Sequence, residues 1–227
     1  MQKMIKKINR FERKWILKSG DYLKLINSLL RSNFFFQFQY PARKVNSIYF
    51  DNSTFSSIRQ NLDGVSNKKK IRIRWYGNQK KLIKPILEIK SKIGSETKKE
   101  NYKINRLNDL NYLDEKNLAI ICDEVNSRVK CKKRIFPILT THYKREYFIS
   151  NHNKIRATVD YNLESIFLKN LSELQQKKKY FPECVLELKY STNLDRLVRH
   201  KLDQMTLRLS KNSKFVNSFF KRPLYLI

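Results

Sequence analysis

The stretch from Lys70 to Gly77, Lys-Ile-Arg-Ile-Arg-Trp-Tyr-Gly, has the alternating pattern that decides the fold. Because successive side chains of a β-strand point to opposite faces, its basic and apolar residues separate onto different faces. The basic face holds Lys70, Arg72, Arg74 and Tyr76, and the apolar face holds Ile71, Ile73 and Trp75. Neighbouring cations on one face lie roughly 6.7 Å apart and repel by about 2.5 kcal/mol at an effective dielectric constant of about 20. The pattern therefore predicts either an anion bound to this face or a half-exposed strand whose basic residues face solvent.

Further stretches are predicted to be strands, and most repeat this separation of charged and apolar residues. They lie at 10–17, 44–51, 86–92, 140–150, 154–161 and 184–191. Amphipathic helices are predicted at about 21–31, 107–132 and 194–209, with a short helix at about 52–64. The lysine-rich stretch at 168–180 is predicted to be either a linker or a frayed helix.

These elements can be arranged in two ways. A sandwich would bury the apolar strand faces against each other, whereas a closed barrel wrapped in helices keeps the charged faces inside. The long amphipathic helices favour the barrel. We therefore predict an α+β fold in which helices wrap an antiparallel β-barrel with a charged interior, formed by a single domain over residues 1–227.

The composition indicates a folded protein with a polyanionic partner. The chain has 227 residues, of which 41% are hydrophobic, with 14 Phe and 12 Tyr to build a core. Lys and Arg number 49 against 20 Asp and Glu, so the formal net charge is +29. Such an excess predicts binding to nucleic acid, an acidic membrane surface or a phosphate-rich small molecule. The sequence has no signal-like start and no run of 18 apolar residues, so we expect a cytoplasmic protein without a membrane segment.

Common signatures of metal and phosphate sites are missing from the sequence. The three cysteines and three histidines do not have the spacing of a disulfide framework or a metal site. The four glycines form no phosphate-binding loop. If phosphate is bound, side chains must therefore bind it.

The predicted barrel would carry many charges on its inner face. Because each unpaired buried ion costs several kcal/mol, the interior should be hydrated and ready to bind phosphate. The carboxylates would either pair with cations or hold a divalent metal. The inner cations would be Arg10, Lys14, Arg72, Arg74, Lys90, Arg145, Arg156 and Lys189, and the carboxylates Glu12, Glu88 and Glu187.

Short motifs along nearly the whole chain resemble the vacuolar transporter chaperone (VTC) domain, the polyphosphate polymerase branch of the triphosphate tunnel metalloenzymes. The two most specific are Arg-Ile-Arg-Trp-Tyr-Gly at 72–77 and Ser-Lys-Asn-Ser-Lys-Phe at 210–215. The others lie at 12–15, 49–51, 87–90, 143–145 and 185–190. The resemblance implies an antiparallel β-tunnel that moves the γ-phosphate of ATP onto a growing polyphosphate chain and releases ADP, with Mn²⁺ or Mg²⁺ bound.

The resemblance also implies roles for individual residues. Glu187 would be the metal ligand, while Glu12 and Glu88 would either join it or pair with neighbouring cations. Lys211 and Lys214 would handle the phosphate chain near one tunnel mouth. The phosphate ligands would be Lys14, Arg72, Arg74, Lys90 and Arg145. The alternation along the strands, rather than the resemblance, adds Arg10, Tyr143, Arg156 and Lys189 as candidates for further substrate contacts.

Two alternatives remain open at this stage. A tunnel-type triphosphatase would hydrolyse ATP or tripolyphosphate, with water replacing the polyphosphate acceptor. The other alternative is a basic RNA-binding protein or a non-catalytic polyphosphate-binding protein. Exposed aromatic residues interleaved with basic residues on one surface would favour nucleic acid, whereas cations that alternate inward favour a tunnel. We expect ATP and polyphosphate as partners rather than nucleic acid. The inositol-phosphate-sensing domain and membrane helices of eukaryotic relatives have no counterpart in the sequence. The sequence therefore gives no support for coupling to translocation or to such a sensor, and it leaves a separate membrane partner open.

Overall fold

The computed structural model of the chain describes residues 10–94, 96–151, 154–168, 178–202, 209–210 and 212–220. Its centre is one antiparallel sheet of nine strands in the order β1-β9-β7-β6-β2-β3-β4-β5, with the short β8 paired to β7. The strands are β1 (Arg10–Lys18), β2 (Gln37–Asp51), β3 (Lys68–Tyr76), β4 (Ile86–Ile93), β5 (Glu96–Lys103), β6 (Phe136–Ile149), β7 (Ile155–Phe167), β8 (Lys179–Phe181) and β9 (Glu183–Ser191).

The described residues form five α-helices beside the sheet. The longest, α3, begins after Asp114, whose carboxylate accepts a hydrogen bond from the backbone N–H of Asn117 at 3.1 Å and so caps the helix. The helices are α1 (Tyr22–Leu30), α2 (Ser56–Leu62), α3 (Glu115–Arg128), α4 (Asp195–Leu202) and α5 (Lys214–Phe220).

The apolar faces of most strands point outward and are covered chiefly by α3 and α1. On one side, α3 packs Leu118, Ile121 and Val125 against the β3 face that carries Ile73 and Trp75. On the opposite side, α1 packs Leu25, Ile26 and Leu29 into a second cluster with residues of β1, β7 and β9. Because the apolar faces are buried beneath helices, the charged faces of the same strands are left for the interior of the curled sheet.

The predicted α+β fold with a charged, strand-built interior is confirmed. The sheet curls into a half-barrel, and its hydrogen-bonded order ends at β1 and β5. Across the gap between these ends, Nζ of Lys90 on β4 lies 3.7 Å from Oε2 of Glu12 on β1. Side chains rather than backbone hydrogen bonds therefore connect the two edges of the described sheet.

Some elements differ from the sequence-based prediction. Strand β5 was missed because Glu96–Lys103 carries polar residues on both faces and lacks an apolar alternation. Helix α5 was also missed, and it is anchored by Phe215, which is 1% exposed and stacks on Tyr49 with ring centroids 4.8 Å apart. The predicted helix over 194–209 is observed as α4, while 203–208 lies outside the described residues, as does most of the predicted linker at 168–180.

Candidate active site

One centre of the inner face is a buried carboxylate surrounded by cations of the two neighbouring strands, β3 and β5. Glu88 on β4 lies opposite Arg72 on β3, and its side chain is only 3% exposed. Its Oε2 accepts a hydrogen bond from Nε of Arg72 at 2.8 Å, and its Oε1 lies 2.7 Å from Nη2 of Arg74. Lys99 on β5 donates to the same Oε1 at 3.1 Å. Burial disfavours the charged carboxylate, but the three cations outweigh it and lower the pKa of Glu88 to about 2.

A second centre joins β6, β7 and α5. Nη2 of Arg145 donates to Oδ2 of Asp160 at 2.7 Å, and Nζ of Lys214 contacts the same carboxylate oxygen. Nζ of Lys214 also lies 4.6 Å from the centre of the Tyr143 ring. Burial would raise the pKa of Asp160, but Arg145 and Lys214 together hold it below its usual range. Two cations therefore share one buried carboxylate, which leaves positive charge in excess.

The third centre lies between β1 and β9 and holds two carboxylates. Nζ of Lys14 lies 2.8 Å from Glu12 Oε1 and 3.5 Å from Glu187 Oε2. Lys189 contacts Glu187 and lies 4.0 Å from Glu12. Burial would raise the pKa of Glu187, but Lys189 and Lys14 lower it far below its usual range. Both carboxylates are therefore ionised near neutral pH and share their counter-ions.

Lys70, on the same face, is a cation paired with a hydroxyl rather than a carboxylate. Its Nζ donates to Oγ of Ser213, just before α5, at 2.9 Å. Burial and the nearby charges of Lys14 and Lys90 lower its pKa to about 7. A bound anion would offset this repulsion, so Lys70 is suited to hold part of an anionic ligand.

The structure brings together most of the residues selected from the sequence. Lys14, Arg72, Arg74, Lys90 and Arg145 all contact the inner carboxylates just described. Tyr143 lies beside Arg145, whose Cζ is 5.3 Å from its ring centre. The remaining candidates are placed as follows: Arg156 is exposed opposite Lys189, Arg10 is exposed opposite Ser191, and Lys211 lies outside the described residues.

Sequence analysis missed some inner residues. Lys70 shares the basic face of its strand and could have been chosen from the alternation alone. Lys99 could not, because its strand β5 has no apolar alternation. Ser213 comes from the segment before α5 and reaches the sheet only through the tertiary fold. Asp160 on β7 was not selected from the sequence either, and it pairs with Arg145 and Lys214.

Within the described residues, no group of three or more acidic, histidine or cysteine side chains forms a complete metal site. Both oxygens of Glu88 are taken by cations, so this carboxylate is a poor metal ligand. Glu12 and Glu187 instead converge on one ammonium group, that of Lys14, and therefore already favour a positive charge between them. Carboxylates are preferred ligands of Mg²⁺ and Mn²⁺, so the chemistry of these two residues fits a divalent ion.

Solved structures of other proteins have the same fold as this chain. A proposed adenylate cyclase from Bacillus halodurans is 15% identical, with a TM-score of 0.57 over 95% of this chain and 99% of that chain. A proposed adenylyl cyclase from Hippeastrum, described as having a dominant triphosphatase activity, is 14% identical, with a TM-score of 0.52 over 92% of this chain and 94% of that chain. The curled antiparallel sheet with its charged interior is thus a triphosphate tunnel fold.

The family is defined by sequence as well. The profile of the VTC domain matches residues 9–221, and the chain belongs to this family. A search of curated protein sequences found no significant match. Among the described helices, none is both long enough and apolar enough to cross a membrane.

Proposed function

We propose that this chain is a polyphosphate polymerase that transfers the γ-phosphate of ATP to a growing polyphosphate chain and releases ADP. The observation that supports this function is the excess of positive charge on the inner face. The inner carboxylates are Glu12, Glu88, Asp160 and Glu187. The inner cations in contact with them or beside them are Lys14, Lys70, Arg72, Arg74, Lys90, Lys99, Arg145, Lys189 and Lys214.

In the proposed reaction, the terminal oxygen of the polyphosphate chain attacks the γ-phosphorus of ATP. The new phosphorus–oxygen bond forms as the bond to the β-phosphate oxygen breaks, and ADP carries away the electron pair. Such a reaction depends mainly on positioning the phosphates and neutralising the charge on the transferred group. Arg72, Arg74 and Arg145 would bind phosphate oxygens through their forked guanidinium groups, while the lysines supply compact point charges.

Glu12 and Glu187 are the residues that would hold a divalent ion, Mn²⁺ or Mg²⁺. Such an ion would offset the negative charge of the bound phosphates. Lys14 lies between the two carboxylates, and its ammonium group would turn toward the phosphates when an ion takes its place. Lys90 and Lys189 would keep these carboxylates ionised and oriented.

Hydrolysis of triphosphate is the second candidate, because the Hippeastrum protein of the same fold is described as a triphosphatase. The two reactions differ only in the acceptor, which is water in hydrolysis and phosphate in polymerisation. The extent of the cationic face favours the polymerase. Lys70, Lys90 and Lys214 add positive charge beyond that of the three arginines. This additional charge would bind the polyphosphate chain that accepts the phosphate, and hydrolysis requires no such chain.

The purified protein can be tested with ATP and Mn²⁺, followed by gel electrophoresis and staining for polyphosphate. The polymerase should produce long polymer together with ADP. Free phosphate without polymer would identify a triphosphatase, and unchanged ATP would identify a binding protein. An Arg134→Ala variant, which alters an exposed cation outside the sheet interior, is the control for unspecific loss of charge.

A further inference from the structure

One rim of the curled sheet carries an aromatic cluster that the proposed reaction does not use. Cζ of Arg43 lies 5.3 Å from the ring centre of Tyr40 and 5.7 Å from those of Tyr76 and Tyr147. The rings of Tyr40 and Tyr147 meet edge to face, with centroids 5.8 Å apart. We refer to these four residues, Arg43, Tyr40, Tyr76 and Tyr147, as the tyrosine box.

The box lies directly beside the phosphate-binding arginines. Arg43 is opposite Arg145 in the pairing of β2 with β6, and cross-strand neighbours are roughly 5 Å apart. Tyr76 touches both groups, because Cζ of Arg74 also lies 5.3 Å from its ring centre. A ligand that places phosphates at Arg74 and Arg145 would therefore bring its next chemical group to the box.

Aromatic faces accessible from solvent are available in this box. Tyr40 is 48% exposed, and Arg43 is exposed at the same rim. The electron-rich faces of tyrosine rings repel phosphate but stack well on the flat rings of nucleobases. A guanidinium held against these rings can stack on a base or bind the phosphate nearest to it.

We propose that the tyrosine box binds the nucleobase of the phosphate donor, so that the site takes a nucleoside triphosphate in preference to inorganic tripolyphosphate. This inference rests on the proposed function, because it assumes that the donor phosphates lie at Arg74 and Arg145. In this proposal the base is recognised by stacking on aromatic rings, and every nucleobase can stack in this way. ATP and GTP should therefore bind with similar affinity, and both more tightly than tripolyphosphate.

Isothermal titration calorimetry with ATP and with tripolyphosphate, in the same buffer containing Mn²⁺, tests this assignment. Tyr40→Leu removes one ring from a half-exposed position and should weaken ATP binding about tenfold, while tripolyphosphate binding stays unchanged. Tyr40→Phe keeps the ring and should bind both ligands as the wild type does. Tyr180→Leu, which removes a tyrosine that is 68% exposed on β8, is the matched control.

The outcomes separate this inference from the proposed function. Equal loss of ATP and tripolyphosphate binding in Tyr40→Leu, or no loss of either, would overturn the nucleobase site. The proposed function would still stand if the wild type makes polymer from ATP. Wild-type protein that binds tripolyphosphate as tightly as ATP would likewise contradict a base-binding role for the box. Wild-type protein that binds neither ligand would overturn both.

Discussion

Arg72 and Glu88 lie directly opposite each other on β3 and β4, and the Arg72 Nε donates to Glu88 Oε2 at 2.8 Å. Glu88 also contacts Arg74 and Lys99, so one buried carboxylate on β4 organises cations from both neighbouring strands, β3 and β5. This relationship explains how the sheet interior tolerates its positive charge before a ligand binds. It also makes Glu88 a structural counter-ion rather than a ligand for a metal.

Glu88→Gln should destabilise the protein, because it removes the negative charge that the three cations share. Breaking a buried ion network in this way costs about 3–5 kcal/mol in the free energy of unfolding. Tripolyphosphate should restore part of the loss by supplying negative charge to the same cations. Urea unfolding with and without tripolyphosphate measures both effects, with the exposed Glu115→Gln on α3 as the control. A loss of stability that tripolyphosphate does not reduce would contradict the placement of phosphate beside these cations.

Arg74→Ala and Glu187→Gln should each abolish turnover while the protein remains folded. The first variant removes one of the cations that would neutralise the charge of the transferred phosphate. The second removes the negative charge of one of the two carboxylates that would hold the divalent ion. Removing one such group typically lowers kcat by about 10²–10³-fold. Polymer formation and far-UV circular dichroism should be measured together, with Arg134→Ala as the control. Near-normal activity in both variants would refute the site.

The lowered pKa of Lys70 predicts that its side chain takes up a proton when phosphate binds above neutral pH. Its pKa is lowered to about 7 by burial and by neighbouring lysines, and an anion at the site should raise it toward its ordinary value. Tripolyphosphate affinity should therefore fall between pH 7 and pH 9. Calorimetry in two buffers of different ionisation enthalpy measures the proton uptake directly. Lys70→Met should bind tripolyphosphate more weakly at pH 7 and show less uptake at pH 8, whereas equal uptake in variant and wild type would exclude this role.

The burial of His142 predicts that the protein loses stability in mild acid. This effect does not involve the charged residues of the inner face. His142 is buried on the outer side of the sheet, where Nε2 lies 3.0 Å from Tyr112 Oη and Nδ1 lies 2.8 Å from Asn46 Oδ1. Burial lowers its pKa to about 3, so the unfolded chain binds a proton near pH 6.5 that the folded protein does not. Stability from this group is thus complete above pH 6.5 and declines as the pH falls below it, by about 2 kcal/mol between pH 7 and pH 5.

Urea unfolding of His142→Gln at both pH values tests this assignment. The variant should be less stable at pH 7 but lose about 2 kcal/mol less than the wild type on acidification. An equal loss in both proteins would contradict the assignment.

Much of the fold could be predicted because residues of opposite character alternate along the strands. In 70–77 the alternation fixes which side chains face inward, and the structure places Arg72 and Arg74 together as this pattern indicates. The pattern could not indicate how the sheet curls or that its edges meet through Lys90 and Glu12. Those features depend on contacts between residues far apart in sequence.

The site was therefore predicted in part. Lys99 lies on a strand with polar residues on both faces, and the segment at Ser213 reaches Lys70 from the far end of the chain. The residues of the tyrosine box lie on β2, β3 and β6. The contact between Arg43 and Tyr147 could not be predicted from the spacing of residues in the sequence. Local alternation assigns a side chain to a face, while tertiary contacts decide which residues of that face meet.

A crystal structure of the protein with tripolyphosphate tests the central claim most directly. We predict that the three phosphates lie within the curled sheet, in hydrogen-bond contact with Arg72, Arg74 and Arg145. Phosphates bound only to lysines on the outer surface, with these arginines still paired solely to Glu88 and Asp160, would contradict the account.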